Sequence, residues 1–233
     1  MARKSRKKKQ IMMKARKVIA NDNPKSPIAE QYRTIRANLQ FASVDEDLHS
    51  LLITSPGPSE GKSITAANIA AVFAQQGKSV LLVDADLRKP TVHHSFRLNN
   101  TKGLSNFLVG KEVLKDAAQE TMVDNLDVLT SGPIPPNPSE LLGSKAMNKL
   151  LLDSRQTYDH VIFDTPPVLA VSDSQVLANE VDGVMLVVRS GLTEISATQR
   201  AKELLQQSKA NLLGVVLNDR EKKSSNYYYY YGS

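Results

Sequence analysis

Six short apolar runs punctuate the chain, at residues 51–54, 79–83, 126–129, 160–163, 183–188 and 212–217. Each is rich in Val, Ile and Leu without polar alternation, the pattern of a strand covered on both faces. Amphipathic stretches between them predict helices over 63–76, 104–109, 139–154, 172–179 and 194–208. A further helix is predicted over 28–42, with Tyr32, Ile35, Leu39 and Ala42 on one stripe. This alternation predicts an α/β fold, a mostly parallel sheet flanked by helices on both faces. Ligands of such sheets bind at the carboxyl ends of the strands. The sequence contains no internal repeat.

The length of 233 residues suits one such domain with terminal extensions. Pro24, Pro27 and the polar run at 21–23 set off the start of the chain. The expected organisation is a basic flexible arm over 1–24, a folded domain over 25–220 and a flexible tail over 221–233. Charge sharpens this division. Of the 30 Lys and Arg residues, nine lie within residues 1–17, which hold no acid, leaving 21 against 24 acidic residues in the rest. The arm is basic and the body mildly acidic. Such an arm attracts anionic lipid, nucleic acid or an acidic partner, or stays a solvated extension. There are no cysteines, which excludes disulfides, thiolate metal centres and cysteine nucleophiles. No apolar run reaches the roughly 18–20 residues that span a bilayer. No apolar core follows the basic start as in a secretory signal. The expected location is the cytoplasm.

Three motifs carry the chemistry. Residues 51–63 read Leu-Leu-Ile-Thr-Ser-Pro-Gly-Pro-Ser-Glu-Gly-Lys-Ser, an apolar strand entering a Gly/Pro/Ser loop before a helix. Backbone N–H groups of such a loop and helix start cradle phosphate oxygens. Lys62 is placed to reach the β- and γ-phosphates, and the Ser63 hydroxyl to coordinate Mg²⁺. The expected nucleotide-binding set is Gly57, Ser59, Glu60, Gly61, Lys62, Ser63 and Ile64. The general pattern G-x-x-x-x-G-K-[ST] has glycine where this chain has Pro56, and Gly57 stands to serve the turn instead.

The second motif places Asp84 and Asp86 two residues apart after the strand at 79–83, with Arg88 following. In extended backbone the two carboxylates project to the same side. Beside a triphosphate they hold Mg²⁺ through water or accept a proton from an attacking hydroxyl; otherwise they are solvated turn residues. The third motif ends a strand in Asp164-Thr165-Pro166-Pro167. Asp164 suits the anchoring of hydrated Mg²⁺, and Thr165 the sensing of a γ-phosphate. All three motifs fall at strand ends in a consistent order, which predicts an ATP site using Mg²⁺. Asn218 and Arg220 follow the last strand. An amide there reads the adenine or simply makes a turn.

Together these motifs resemble those of the bacterial tyrosine kinases of capsule and exopolysaccharide systems, over residues 26–233. Glu30-Gln-Tyr-Arg33-Thr-Ile-Arg36 resembles the family's subunit-interface motif, which assigns residues 25–45 to an interface helix. The three charged side chains share one helix face, as they would in an ordinary surface ion-pair ladder. The run Tyr227, Tyr228, Tyr229, Tyr230, Tyr231 holds five of the seven tyrosines and resembles the family's autophosphorylated cluster. The resemblance implies transfer of the ATP γ-phosphate to that cluster, chiefly in trans, within a ring-shaped octamer that forms while the tail is unphosphorylated. Lys62 would stabilise the transferring phosphate, with Ser63, Asp86 and Asp164 around Mg²⁺ and Asp84 as base. The sequence itself does not separate the roles of Asp84 and Asp86.

Family members without membrane spans depend on a separate membrane activator whose cytoplasmic tail docks on the kinase. That implies recruitment to the inner face of the plasma membrane, with the basic arm against anionic lipid as a peripheral contact. The chain departs from the family's P-G-E-G-K-[ST] at Ser59, where glycine is usual. The nearest alternative is a switch ATPase of the plasmid-partition or division-site kind. Those carry a signature lysine five residues before Lys62, and here that position is Gly57. No base-reading feature accompanies the basic arm, so no specific nucleic acid is expected. The absence of H-R-D and D-F-G sequences excludes a eukaryotic-type kinase.

Overall fold

The computed structural model describes residues 17–42 and 48–221. The basic residues 1–16 and the tyrosines at 227–231 lie outside the described residues. The apolar runs become strands β1 (Ser50–Thr54), β2 (Val80–Asp84), β4 (Leu126–Leu129), β5 (His160–Asp164), β6 (Gly183–Arg189) and β7 (Leu212–Asn218). A two-residue strand β3 (Gln119–Glu120) joins the edge. The sheet order is β3-β4-β2-β5-β1-β6-β7. Every pairing is parallel except β3 with β4. Strands β1 and β2 are buried at every residue, which is why their sequences lack polar alternation.

Ten helices complete the described fold: α1 (Ile19–Asp22), α2 (Pro27–Ala42), α3 (Lys62–Ala74), α4 (Val92–Phe96), α5 (Leu104–Leu108), α6 (Leu114–Ala117), α7 (Pro138–Leu142), α8 (Lys145–Arg155), α9 (Asp173–Ala178) and α10 (Ile195–Gln207). The single helix expected over 139–154 is broken into α7 and α8. Gly143 ends the first, and Ser144, extended at φ −85° and ψ 160°, stands at the start of the second with its hydroxyl donating back to the Leu141 carbonyl at 2.7 Å.

Alternate strand residues feed two cores. Leu52, Leu81 and Val161 face the layer that holds α5 to α10. Leu51, Ile53 and Leu82 face α2 and α3. Helix α3 is buried at every position from Thr65 to Ala74, and its alanines let α1, α2 and the sheet approach closely. Helix α2 lies along it. The Arg36 Nη1 donates to the Val72 carbonyl at 2.6 Å, and Gln40 Nε2 to Gln76 Oε1 at 3.3 Å. Arg33 donates to Glu30 at 2.8 Å and to the Pro24 carbonyl at 2.7 Å. Packing reaches back to Val18 and Ala20, both buried, and the Ala20 N–H donates to Asn68 Oδ1 at 2.9 Å. Among the described residues no helix is long and apolar enough to cross a membrane.

Candidate active site

The loop between β1 and α3 is shaped by two left-handed residues, Ser59 at φ 66° and Gly61 at φ 95°. Non-glycine residues rarely enter this region, which gives a physical reason for glycine being usual at position 59. Gly61 is needed for space as well as for its dihedral. A Cβ there would lie 2.1 Å from Asn218 Nδ2. That amide donates to the Glu60 carbonyl at 2.9 Å. Asn218 therefore reaches the site from the end of β7, with its amide donor on the loop itself. Arg220 is exposed two residues further on. Glu60 turns inward, where its Oε2 accepts the Arg189 N–H at 2.6 Å and the Thr193 hydroxyl.

Helix α3 opens directly from the loop, so its free first-turn N–H groups face the cradle with the positive end of the helix dipole. Lys62 Nζ stands 3.1 Å from Asp86 Oδ2, 3.2 Å from Asp164 Oδ1 and 3.3 Å from Ser63 Oγ. The sheet builds the acidic side of this cluster. Asp84 and Asp164 are register partners at the ends of β2 and β5. Asp84 Oδ2 accepts the N–H groups of Thr91 and Val92 at 3.0 and 2.9 Å. Asp86 Oδ1 accepts the Lys89 N–H at 3.0 Å.

Three carboxylates thus face one ammonium in a mostly buried place. Burial pushes the Asp84 carboxyl up to about 7, Asp164 adds to the rise, and the Val92 N–H and Lys62 oppose it. Burial also raises Asp164, against the pull of Lys62. For Lys62 burial works downward, but Asp164 and Asp86 outweigh it and hold the ammonium charged. Asp84 Oδ1 and Asp164 Oδ2 are buried without a hydrogen-bond partner. Orphaned carboxylate oxygens, surplus negative charge and the Ser63 hydroxyl fit a hard divalent cation such as Mg²⁺. Among the described residues no group of three or more His, Cys, Asp or Glu is arranged to hold an ion alone. Mg²⁺ suits such a site, because it keeps several waters and takes phosphate oxygens beside one or two carboxylates.

Two motif residues turn inward. The Thr165 hydroxyl donates to the Ile53 carbonyl at 3.0 Å and accepts from Ser174 at 3.1 Å, so it is taken up inside the fold. Arg88 makes a two-pronged pair with the fully buried Asp173, at 2.9 and 3.0 Å, and reaches Ser139 at 3.2 Å. It ties the segment after β2 to α7 and α9. Neither Asp173 nor the side-chain role of Glu60 was legible in the sequence, because both contacts join segments far apart in the chain. Beyond Thr193 an open cleft of about 390 Å³ runs between the β6–α10 loop and β7, walled in part by Ile195, Val215 and Leu217.

A family model described as an AAA domain matches residues 58–210. The chain is 57% identical to tyrosine-protein kinase YwqD of Bacillus subtilis, over 88% of this chain and 87% of that protein. Among solved structures, the chimerical protein CapA2B2 matches with a TM-score of 0.85 at 45% identity, over 88% of this chain and 90% of that one. The kinase domain of Escherichia coli tyrosine kinase ETK also matches at 0.85, with 39% identity over 91% of this chain and 84% of that one.

Proposed function

The chain belongs to the bacterial tyrosine-protein kinases, and from that premise we propose that it transfers the γ-phosphate of ATP to its own tyrosines, Tyr227 to Tyr231. The observation that carries this reading is the cluster at the carboxyl ends of β2 and β5. There Lys62 lies within hydrogen-bonding reach of Asp86, Asp164 and Ser63, with Asp84 beside them.

Backbone N–H groups of the loop and of the first turn of α3 hold the phosphates, and Lys62 offsets charge that grows on the transferring group. Ser63, Asp86 and Asp164 would hold hydrated Mg²⁺, which when bound neutralises the phosphate oxygens. Asp84 serves as general base. Its Oδ2 is fixed by two N–H groups while Oδ1 has no protein partner, and a carboxyl raised to about 7 suits proton transfer near neutral pH. The tyrosine oxygen attacks the γ-phosphorus, the bond to the bridging oxygen breaks, ADP leaves and the phenolic proton passes to Asp84. Asn218 and Arg220 border the nucleotide at the end of β7.

The wider role extends the same reading. Transfer runs in trans within a ring, proposed as an octamer of unphosphorylated chains that uses Glu30, Arg33 and Arg36 at its interfaces. A membrane protein's cytoplasmic tail activates the kinase and holds it at the inner face of the plasma membrane, where it regulates capsule or exopolysaccharide synthesis. Mixing two variants tests the trans step, with the activator's tail supplied. One carries Lys62→Met and an intact tail, and the other keeps Lys62 but has phenylalanine at all five tail positions. Phosphotyrosine on the Lys62→Met chain is the expected result. Its absence, while the wild type labels itself, would contradict transfer between chains.

A further inference from the structure

We infer that Glu60 and Thr193 form a strut, completed by Asn218, that holds the phosphate loop in its binding shape. The inference rests on residues 55–63 being the ATP site. Among the described residues, the hydrogen bonds that tie residues 56–60 to the distant ends of β6 and β7 all run through Glu60. Its carboxylate takes the Arg189 N–H and the Thr193 hydroxyl, and its carbonyl takes the Asn218 amide. Thr193 Oγ1 also accepts the Arg189 N–H at 3.2 Å, which closes a triangle behind the loop.

This arrangement answers a mechanical need. Left-handed Ser59 and Gly61 flank Glu60, and a backbone held in a rare conformation persists only where its surroundings over-determine it. A carboxylate that accepts a backbone N–H and a hydroxyl makes stronger bonds than a neutral acceptor. Glu60 is only 7% exposed and would be costly to bury without those donors. It stands two residues before Lys62, so movement of the strut displaces the ammonium that meets the phosphate. Misplacement of a reacting group by about 1 Å can cost on the order of a hundredfold in rate. Glu60 and Thr193 are therefore positioning residues, which act through Lys62 and the loop N–H groups.

The test compares Glu60→Ala, Glu60→Gln, Thr193→Val and Thr193→Ser in the full chain with the activator's tail supplied. Self-phosphorylation rate against ATP concentration gives kcat and KM, titration with fluorescent ADP gives affinity, and thermal melting checks folding. Glu60→Ala is expected to raise the KM for ATP roughly tenfold and to lower kcat as well, because the Arg189 N–H and the Thr193 hydroxyl lose their shared carboxylate and Lys62 loses its register. Glu60→Gln keeps an acceptor oxygen and should recover most of both. Thr193→Val should raise KM about threefold with kcat nearly retained, and Thr193→Ser, which keeps the hydroxyl, should restore it. The strut is overturned if Glu60→Ala matches the wild type in both constants, or if Glu60→Gln is as damaging as Glu60→Ala. Should Glu60→Ala fail to fold, the two Thr193 variants decide, and equal KM values for them overturn the proposal. Failure of the ATP-site reading itself would show separately, as undiminished phosphorylation by Lys62→Met.

Discussion

Asp84 combines full burial, two backbone donors on one oxygen and none on the other. Its carboxyl is raised from 3.8 to about 7, so the folded state binds the proton more tightly than the unfolded chain does. The stabilisation from this group is therefore fully present below about pH 4 and is lost as pH rises through about 7. Asp84→Asn imitates the protonated form. Without nucleotide it should melt at a higher temperature than the wild type at pH 8, and the advantage should shrink toward pH 4. Thermal melts across that range, with the wild type melting higher at pH 8, would contradict the assignment. On the proposed reading, with Asp84 as base, the same variant should lose most phosphorylation activity, because the amide cannot take the tyrosine proton. The clustering of Lys62, Asp84, Asp86 and Asp164 was legible in the sequence because Lys62 opens α3, Asp84 and Asp164 end β2 and β5, and Asp86 lies two residues past β2. Asn218 was legible only as a choice between base and turn. Its donation to the Glu60 carbonyl is a contact between residues 158 positions apart, which no local pattern encodes.

Among the elements, α2 carries two different kinds of charge. Arg36 is half-buried against α3, where burial holds its guanidinium below the usual arginine range and the Val72 carbonyl accepts its Nη1. Glu30 and Arg33 pair nearer the surface, with the Glu30 side chain 68% exposed. Arg36→Ala should thus destabilise the single chain by about 1–2 kcal/mol through a lost charged hydrogen bond and lost stem packing. Glu30→Ala should cost roughly 0.5 kcal/mol or less, as exposed pairs do. Denaturant titration separates the two, and sedimentation of the same samples reads the proposed interface. Loss of large species in Glu30→Ala with unchanged stability supports it, and unchanged assembly in both variants contradicts it. The helices over 28–42 and 194–208 were legible because their apolar stripes run for several turns, and the one over 63–76 because a long Ala-rich apolar stretch follows the loop, although α3 proves buried all round rather than on one face. Helices α1, α4 and α6 and strand β3 are too short to show a period. The break between α7 and α8 was missed because the apolar stripe continues across Gly143 and Ser144 while the backbone does not.

At the scale of the whole molecule, the strand–helix alternation fixed the architecture in advance. A parallel sheet needs crossover helices, and buried strands need unbroken apolar runs. Assembly and partners are not encoded that way, since they depend on surfaces that no periodicity marks. The distribution of charge offers one physical link. Phosphorylated tyrosines carry roughly −1.5 to −2 charges each, so neighbours in the cluster repel one another and the mildly acidic body. On the proposed reading, a ring of unphosphorylated chains loosens as its tails fill. The central claim is that this site phosphorylates this tail. It is tested most directly by intact-mass spectrometry after incubation with ATP and Mg²⁺, on the wild type and on Lys62→Met, with the cytoplasmic tail of the proposed activator fused or added. Successive phosphate additions that map to residues 227–231 and vanish in Lys62→Met are the predicted result. Steady ATP turnover with no added mass would contradict the kinase account and favour a switch ATPase.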